Sequence, residues 1–230
     1  MDGGSLSVQE FLGRLPFFEG LSSTGMKIIT RSVTQRFFQK GALVQDIIEK
    51  GAPREGFHVV VNGTVKLLCV AQNGGEKVIR ALGPGDSFGE EKLFLDKIDT
   101  LVTTQATSHV FLLHVSRDSV LAVLQRDPAF AMRMLSHISS RVYLLLKDIE
   151  AYTLKSATQR VVDYFLKNAE REEGNQYRFT TNKSLIASLL NITPEHFSRI
   201  MRELAAEQLI LIDGRAVTIP DPERLRTYDS

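Results

Sequence analysis

The side chains best suited to chemistry occur in one short segment near the C-terminus. Four polar residues are spaced so that a helix would bring them to one face: Glu195, Ser198, Arg199 and Arg202. A carboxylate can accept a hydrogen bond from cytosine N4, and an arginine can donate two hydrogen bonds to guanine. This face therefore has the chemistry of a DNA-reading surface, although a solvated helix face carries the same residue types.

A helix-turn-helix pattern surrounds these residues. Residues 184–190 have helical character, and a second helix is predicted to begin after Asn191 and Ile192. Thr193 can cap that helix, and Pro194 suits its first position. Four apolar residues occupy its other face: Phe197, Ile200, Met201 and Leu204. The polar face is thus free to meet DNA.

A predicted hairpin follows this pair of helices. Residues 209–212 and 216–219 flank the turn Asp213-Gly214-Arg215. Together with the two helices, the hairpin predicts a winged helix-turn-helix.

The N-terminal half has a different pattern. From Val33 to Val115, short alternating runs are separated by Gly, Asn and Asp, which is typical of an antiparallel sandwich or roll. Alternation on both sides of Asn62-Gly63 predicts a hairpin there, and Asn73-Gly74-Gly75 predicts another. Cys69 alternates with apolar neighbours, which favours a core position over a redox sensor. We therefore expect an α+β protein with an N-terminal antiparallel β-roll of the jelly-roll type.

A long helix is predicted between the two halves, because Asp127 can cap it and Pro128 suits its first position. Six residues in it follow the 3, 4, 3, 4, 3 spacing of a coiled-coil seam: Leu135, Ile138, Val142, Leu145, Ile149 and Tyr152. This regularity favours a parallel two-helix dimer interface. The alternative is an amphipathic helix packed on its own domain.

Composition restricts the function classes. The chain has 28 Lys and Arg against 27 Asp and Glu, so its net charge of +1 excludes nucleic-acid capture by overall charge. One cysteine excludes an intramolecular disulfide and a multi-cysteine metal centre. The sequence has no signal-peptide pattern, membrane-length apolar run or catalytic motif. We expect a cytoplasmic protein that is neither an enzyme nor a membrane protein and has no metal site.

The order of β-roll, long helix and winged helix-turn-helix, with Gly85-Asp86-Ser87-Phe88-Gly89-Glu90, resembles the Crp/Fnr superfamily of bacterial transcription regulators. Glu195-His196-Phe197-Ser198-Arg199 matches the Glu-x-x-Ser-Arg motif of the Fnr-like branch. Residues 158–162 and 194–201 are similar to Dnr-type regulators of nitrogen-oxide metabolism. The resemblance implies three segments: a sensor roll (1–127, cyclic-nucleotide-binding-like), a dimerisation helix and hinge (128–154) and a DNA-binding domain (155–230).

The resemblance also implies partners. It predicts a homodimer that binds double-stranded DNA at palindromes of the TTGAT and ATCAA type and works with RNA polymerase. The effector state of the roll would determine the position of the long helices, and the long helices would in turn position the recognition helices. An alternative is a ligand-binding or scaffold protein that uses its helix-turn-helix for protein contact.

The effector pocket implied by the resemblance is incomplete. Gly89 and Glu90 match the family's Gly-Glu pair, but Thr100 and Leu101 stand where cyclic-nucleotide members have Arg and Ser. Without that guanidinium the phosphate charge would be buried unpaired, so we expect no cyclic AMP. The N-terminal cysteines of an Fnr-type iron–sulfur cluster are missing as well, so no such cluster is expected.

Some Dnr-type regulators bind haem, and the resemblance therefore implies a nitrosative or redox signal. His137, beside the seam residue Ile138, is the preferred candidate for a haem ligand. Met132 and Met134 lie nearby, although methionines on an apolar helix are usually packing residues.

Overall fold

The computed structural model describes residues 7–44, 56–70, 76–95, 102–169, 175–179 and 182–228. The chain divides into two compact units, Met1–Tyr143 and Leu144–Ser230. The division falls inside helix α4 (Pro128–Leu154), which contributes residues to both units. The separation into 1–127, 128–154 and 155–230 stays a prediction.

Two antiparallel sheets form the first unit. One has the strand order β1-β7-β2-β5 and the other β4-β3-β6. The strands are β1 (Thr34–Phe38), β2 (Gly56–Asn62), β3 (Val65–Val70), β4 (Glu76–Leu82), β5 (Ser87–Phe88), β6 (Thr103–Ala106) and β7 (Val110–Ser116). This arrangement confirms the predicted β-roll.

The hairpin predicted at Asn62-Gly63 is wrong. Strands β2 and β3 on either side of it belong to different sheets, so the turn carries the chain from one sheet to the other. Gly63 has a φ of +83°, and a Cβ on it would lie 2.1 Å from the His109 carbonyl oxygen. Glycine is therefore required here by a close backbone approach, not by a two-residue hairpin. The turn at 73–75 lies outside the described residues, while β3 and β4 do pair in antiparallel fashion.

A register irregularity in β3 explains the position of Cys69. The pairing of β3 with β4 shifts between Leu67 and Leu68, so Val65 and Leu68 are buried instead of alternate residues throughout. Cys69 is consequently only half-buried, and its predicted core position is wrong.

Helices close one side of the roll. Helix α1 (Val8–Gly13) begins with the predicted capping box of Ser7 and Glu10, and it is followed by α2 (Ser23–Arg31) and α3 (Arg117–Leu124). A short 3-10 helix spans Glu90–Leu93. Aromatic rings are prominent in the core beneath them, notably those of Phe17, Phe18, Phe57 and Phe130.

Helix α4 begins as predicted. The Asp127 carboxylate accepts a hydrogen bond from the Phe130 N–H at 2.9 Å, and Pro128 is the first helical residue. Phe130 and Met134 are buried in the core of the first unit. This burial fixes which face of α4 the roll covers.

The second unit is the predicted winged helix-turn-helix. Its elements are α5 (Ala157–Ala169), β8 (Gln176–Arg178), α6 (Lys183–Leu189), α7 (Pro194–Ala206), β9 (Leu211–Asp213), β10 (Ala216–Thr218) and α8 (Pro222–Arg226). The strands form an antiparallel sheet in the order β8-β10-β9. Its core includes Phe165, Phe197 and Val217, all fully buried.

In the part of the chain that the structure describes, no helix combines the length and apolarity needed to cross a membrane. Over the same residues, no group of three or more His, Cys, Asp or Glu side chains is placed to hold a metal ion.

Candidate functional site

The start of α7 is defined by local chemistry. Asn191 in the preceding turn has a φ of +57°, a left-handed conformation that asparagine tolerates. The Thr193 hydroxyl then accepts a hydrogen bond from the His196 N–H at 3.2 Å, and Pro194 follows as the first helical residue. The predicted cap is therefore confirmed, and it determines where the polar face of α7 begins.

The two faces of α7 are separated as predicted. The four apolar residues at 197, 200, 201 and 204 are all buried in the core of the second unit. Four polar residues are exposed on the other side: Glu195, Ser198, Arg199 and Arg202. Burial of the apolar face thus holds the helix in place while the polar side chains remain accessible.

The polar face makes weak contacts within α7. Arg199 Nε lies 3.8 Å from a carboxylate oxygen of Glu203, and the Arg199 side chain is 62% exposed. Arg202 Nε donates to the Ser198 carbonyl at 3.4 Å. Exposed ion pairs of this kind contribute at most about 1 kcal/mol, so DNA can compete for these guanidinium donors.

The wing presents another cation. Strands β9 and β10 pair with Asp213 opposite Ala216, and Gly214 in the turn has a φ of +55°. Arg215 is exposed at this turn. A cation at a hairpin tip is suited to phosphate contact, which adds affinity without sequence preference.

Glu90 is a buried carboxylate with three partners in the first unit. Arg141 Nη1 lies 2.5 Å from Oε2, and the Ser87 hydroxyl donates to Oε1 at 2.5 Å. His137 Nε2 lies 3.4 Å from the same Oε1. Burial opposes ionisation, but His137, Arg141 and Ser87 outweigh it and lower the pKa of Glu90 to about 2. Glu90 therefore remains an anion held by residues of α4.

His137 lies beside Glu90, Ser87 and Phe17. Its Nε2 faces Glu90 and is 3.5 Å from the Ser87 hydroxyl, and its ring packs 4.9 Å from Phe17. Gly89, with a φ of +89°, directly precedes the 3-10 helix that carries Glu90. The other two predicted pocket residues, Thr100 and Leu101, lie outside the described residues.

Arg141 was not among the predicted site residues. It lies on α4, 54 residues along the chain from Ser87, whose carbonyl accepts a second hydrogen bond from it at 2.7 Å. The available signal was its i,i+4 spacing from His137, which puts the two basic side chains on one face of the helix.

The predicted seam residues divide into two groups. Leu135, Val142, Leu145 and Ile149 are between 52% and 61% exposed. Ile138 instead packs partly against the core of the first unit, and the Tyr152 hydroxyl donates to the Leu189 carbonyl at 2.8 Å. The chain's own core therefore leaves an apolar stripe on α4 uncovered.

Comparison with known proteins accounts for both units. The family descriptions "Cyclic nucleotide-binding domain" and "Crp-like helix-turn-helix domain" match residues 35–127 and 159–228. The crystal structure of DNR from Pseudomonas aeruginosa is 32% identical, covering 96% of this chain and 97% of that one, with a TM-score of 0.50. The chain belongs to the Crp/Fnr family. The identity to DNR supports the Dnr-like branch that residues 194–201 predict.

Other relatives of this Crp/Fnr protein are more distant. The "CRP-like cAMP-activated global transcriptional regulator" of Mycobacterium tuberculosis is 24% identical over 223 residues, covering 95% of this chain and 98% of that protein. FixK2 from Bradyrhizobium japonicum has the same fold, with a TM-score of 0.71 at 20% identity over 86% of this chain and 98% of that one. The matched domains and relatives are those of DNA-binding transcription regulators and not of enzymes.

Proposed function

We propose that this Crp/Fnr regulator is a homodimer that reads a TTGAT-like palindrome through the exposed polar face of α7. The observation that carries the proposal is this face, where Glu195 and Arg199 are exposed above a fully buried apolar side. Glu195 would accept from cytosine, and Arg199 would donate to guanine. Ser198 and Arg202 extend the contact, while Arg215 would meet a phosphate.

The exposed stripe on α4 supports the homodimer. Residues 135, 142, 145 and 149 recur at coiled-coil spacing, and each residue is more than half exposed. Apolar stripes of this kind mark interaction sites, and a second copy presents the identical stripe. Two subunits would then present two recognition helices to the two halves of a palindrome. Contact with RNA polymerase is a further expectation from the family.

Cyclic AMP does not suit this chain as an effector. The phosphate-binding Arg and Ser of cyclic-nucleotide members are replaced by Thr100 and Leu101. The Glu90 carboxylate is occupied by Arg141 and Ser87 of the chain itself. A phosphate buried here would lack the Arg of the cyclic-nucleotide members, and Arg141 is already paired with Glu90.

The contacts of His137 limit how it could bind haem. Its Nε2 faces Glu90 and Ser87, so only Nδ1 would be left to ligate the iron. The cleft beside it, between α4 and Phe17, has a volume of about 350 Å³, at the small end for ligand sites. We therefore propose the nitrosative or redox signal from the resemblance to Dnr-type regulators alone.

Gel-shift titration tests the DNA assignment. A duplex with a TTGAT-type palindrome is compared with a scrambled duplex of the same length and composition at one fixed salt concentration. We expect at least about a thousandfold tighter binding to the palindrome, the lower end for specific regulators. Equal affinity for the two duplexes would refute the proposed recognition.

Haem titration followed by absorption spectroscopy tests the signal separately. Absence of a Soret band that responds to nitric oxide would remove haem as the sensor. If such a band appears, an altered band in His137→Ala would identify His137 as a ligand, and an unchanged band would exclude it.

A further inference from the structure

The C-terminal end of α6 leaves carbonyl groups that need outside donors. Asn191 N–H bonds to the Ser188 carbonyl at 3.1 Å, and Ile192 N–H bonds to the Ala187 carbonyl at 3.0 Å, which is a Schellman arrangement. The last carbonyls of a helix otherwise lack partners. Three successive oxygens depend on donors from elsewhere: those of Leu189, Leu190 and Asn191.

Two side chains from α4 and α5 supply these donors. The Tyr152 hydroxyl donates to the Leu189 carbonyl at 2.8 Å. Arg160 donates from Nε to the Leu190 carbonyl at 2.9 Å and from Nη2 to the Asn191 carbonyl at 3.4 Å. A cation at a helix C-terminus is also favoured by the helix dipole.

The same guanidinium reaches the break between α4 and α5. Arg160 Nη1 donates to the carbonyl of Lys155 at 2.8 Å, and Lys155 lies between the end of α4 and the start of α5. One planar group therefore joins this break to the turn before α7. Because the guanidinium is a rigid fork, the two segments cannot shift relative to each other without loss of charge-assisted hydrogen bonds.

Tyr152 strengthens this link. Burial, followed by the charge of Asp148, raises the pKa of Tyr152, so the hydroxyl keeps the proton that it donates. Its hydrogen bond ties the last turn of α4 to the end of α6. The break and the turn are thus connected from both α4 and α5.

We propose that Arg160, assisted by Tyr152, is the positioning residue that transmits the conformation of the α4–α5 break to recognition helix α7. The turn that it holds leads within two residues to the Thr193 cap, and Glu195 lies in the first turn of the helix. The link thereby positions Glu195 and Arg199 relative to the bases. This part of the proposal rests on the proposed function of α7 in reading DNA.

Three full-length variants test the link. Arg160→Lys keeps the charge but loses the fork, and Tyr152→Phe keeps the ring but loses the donor. Lys167→Ala is the control, because it removes an exposed cation from the same helix α5. The readout is the ratio of dissociation constants for the scrambled and palindromic duplexes at one salt concentration. A loss of folded protein would weaken both duplexes equally and leave this ratio unchanged.

We expect Arg160→Lys to lower the ratio roughly tenfold, the effect of one impaired base contact. Tyr152→Phe should lower it by less, and Lys167→Ala should not change it. An unchanged ratio in Arg160→Lys, including an equal loss on both duplexes, would overturn the proposal.

Amide hydrogen exchange gives a second readout that does not involve DNA. Exchange at Asn191, Ile192 and Phe197 should be roughly tenfold faster in Arg160→Lys than in Lys167→Ala, with Leu225 of α8 as an unaffected reference. Unchanged exchange at these amides would also overturn the link. If the wild type shows no preference for the palindrome, the proposed reading of DNA fails, and the exchange result still decides whether Arg160 holds the turn.

Discussion

Acidification between pH 6.5 and 5 should destabilise the fold through His58. This imidazole on β2 stacks on Phe88 with a centroid distance of 5.0 Å and lies 4.9 Å from the ring of His114. Burial, and then the charges of His114, Lys92 and Arg36, lower the pKa of His58 to about 3, against the opposing effect of Glu90. The folded protein therefore holds His58 neutral at pH values where an unfolded chain protonates it.

Proton linkage gives the direction and the magnitude of the change in the free energy of unfolding with pH. As the pH falls, the unfolded chain gains a proton at this residue near the ordinary pKa of 6.5, whereas the folded chain gains it only near 3. The contribution of His58 to stability is thus complete above pH 6.5 and falls by about 1.4 kcal/mol per pH unit below it. By pH 5 the loss reaches about 2 kcal/mol, an upper value because the side chain is only half-buried.

The slope of the free energy of unfolding against pH is measured by urea unfolding at half-unit pH steps. Unfolding is followed by circular dichroism at one protein concentration. His58→Gln should reduce the slope between pH 6.5 and 5 by about one proton. His114, whose pKa is also lowered by burial, supplies a remaining part. The same substitution at the exposed His109 is the matched control, and His58→Gln should have the smaller slope of the two variants. An identical slope in His58→Gln and the wild type would refute the reasoning.

Other perturbations address the helix and the effector region. Leu145→Glu combined with Ile149→Glu places like charges across the seam, so sedimentation should show a monomer. An unchanged dimer would show that the interface lies elsewhere. Glu90→Gln leaves the Arg141 cation without its carboxylate and should cost about 3 kcal/mol in urea unfolding, whereas a loss below about 1 kcal/mol would contradict the importance of the pair. Calorimetry with millimolar cyclic AMP should show no saturable heat, and a saturable isotherm would reverse that exclusion.

Features with a local signal were predictable from the sequence. Thr193-Pro194 and Asp127-Pro128 combine a capping side chain with a proline, and both helices begin where these pairs predict. The buried face of α7 follows from apolar residues at helical spacing, because a helix of that periodicity can cover a core with only one side.

Features that depend on distant pairing were not predictable. Alternation around Asn62-Gly63 is compatible with a hairpin, but the choice of β7 as the neighbour of β2 is made by long-range contacts. The partnership of Glu90 with Arg141 joins the roll to α4, and the i,i+4 spacing of His137 and Arg141 does not show which carboxylate these two side chains bind. The carbonyls that Arg160 binds were not predictable either. Every residue has a carbonyl, so the packing of α5 decides which of them the guanidinium reaches.

We propose that the polar face of α7 reads bases, and Arg199→Ala tests this most directly. Fluorescence anisotropy at one salt concentration gives the dissociation constants of the wild type and the variant for the TTGAT-type palindrome and its scrambled counterpart. Loss of one bidentate base contact costs about 1–3 kcal/mol in each half-site, so the variant should lose most of its preference while retaining its affinity for the scrambled duplex. An equal weakening on both duplexes would show that Arg199 contacts only phosphate and would contradict the account.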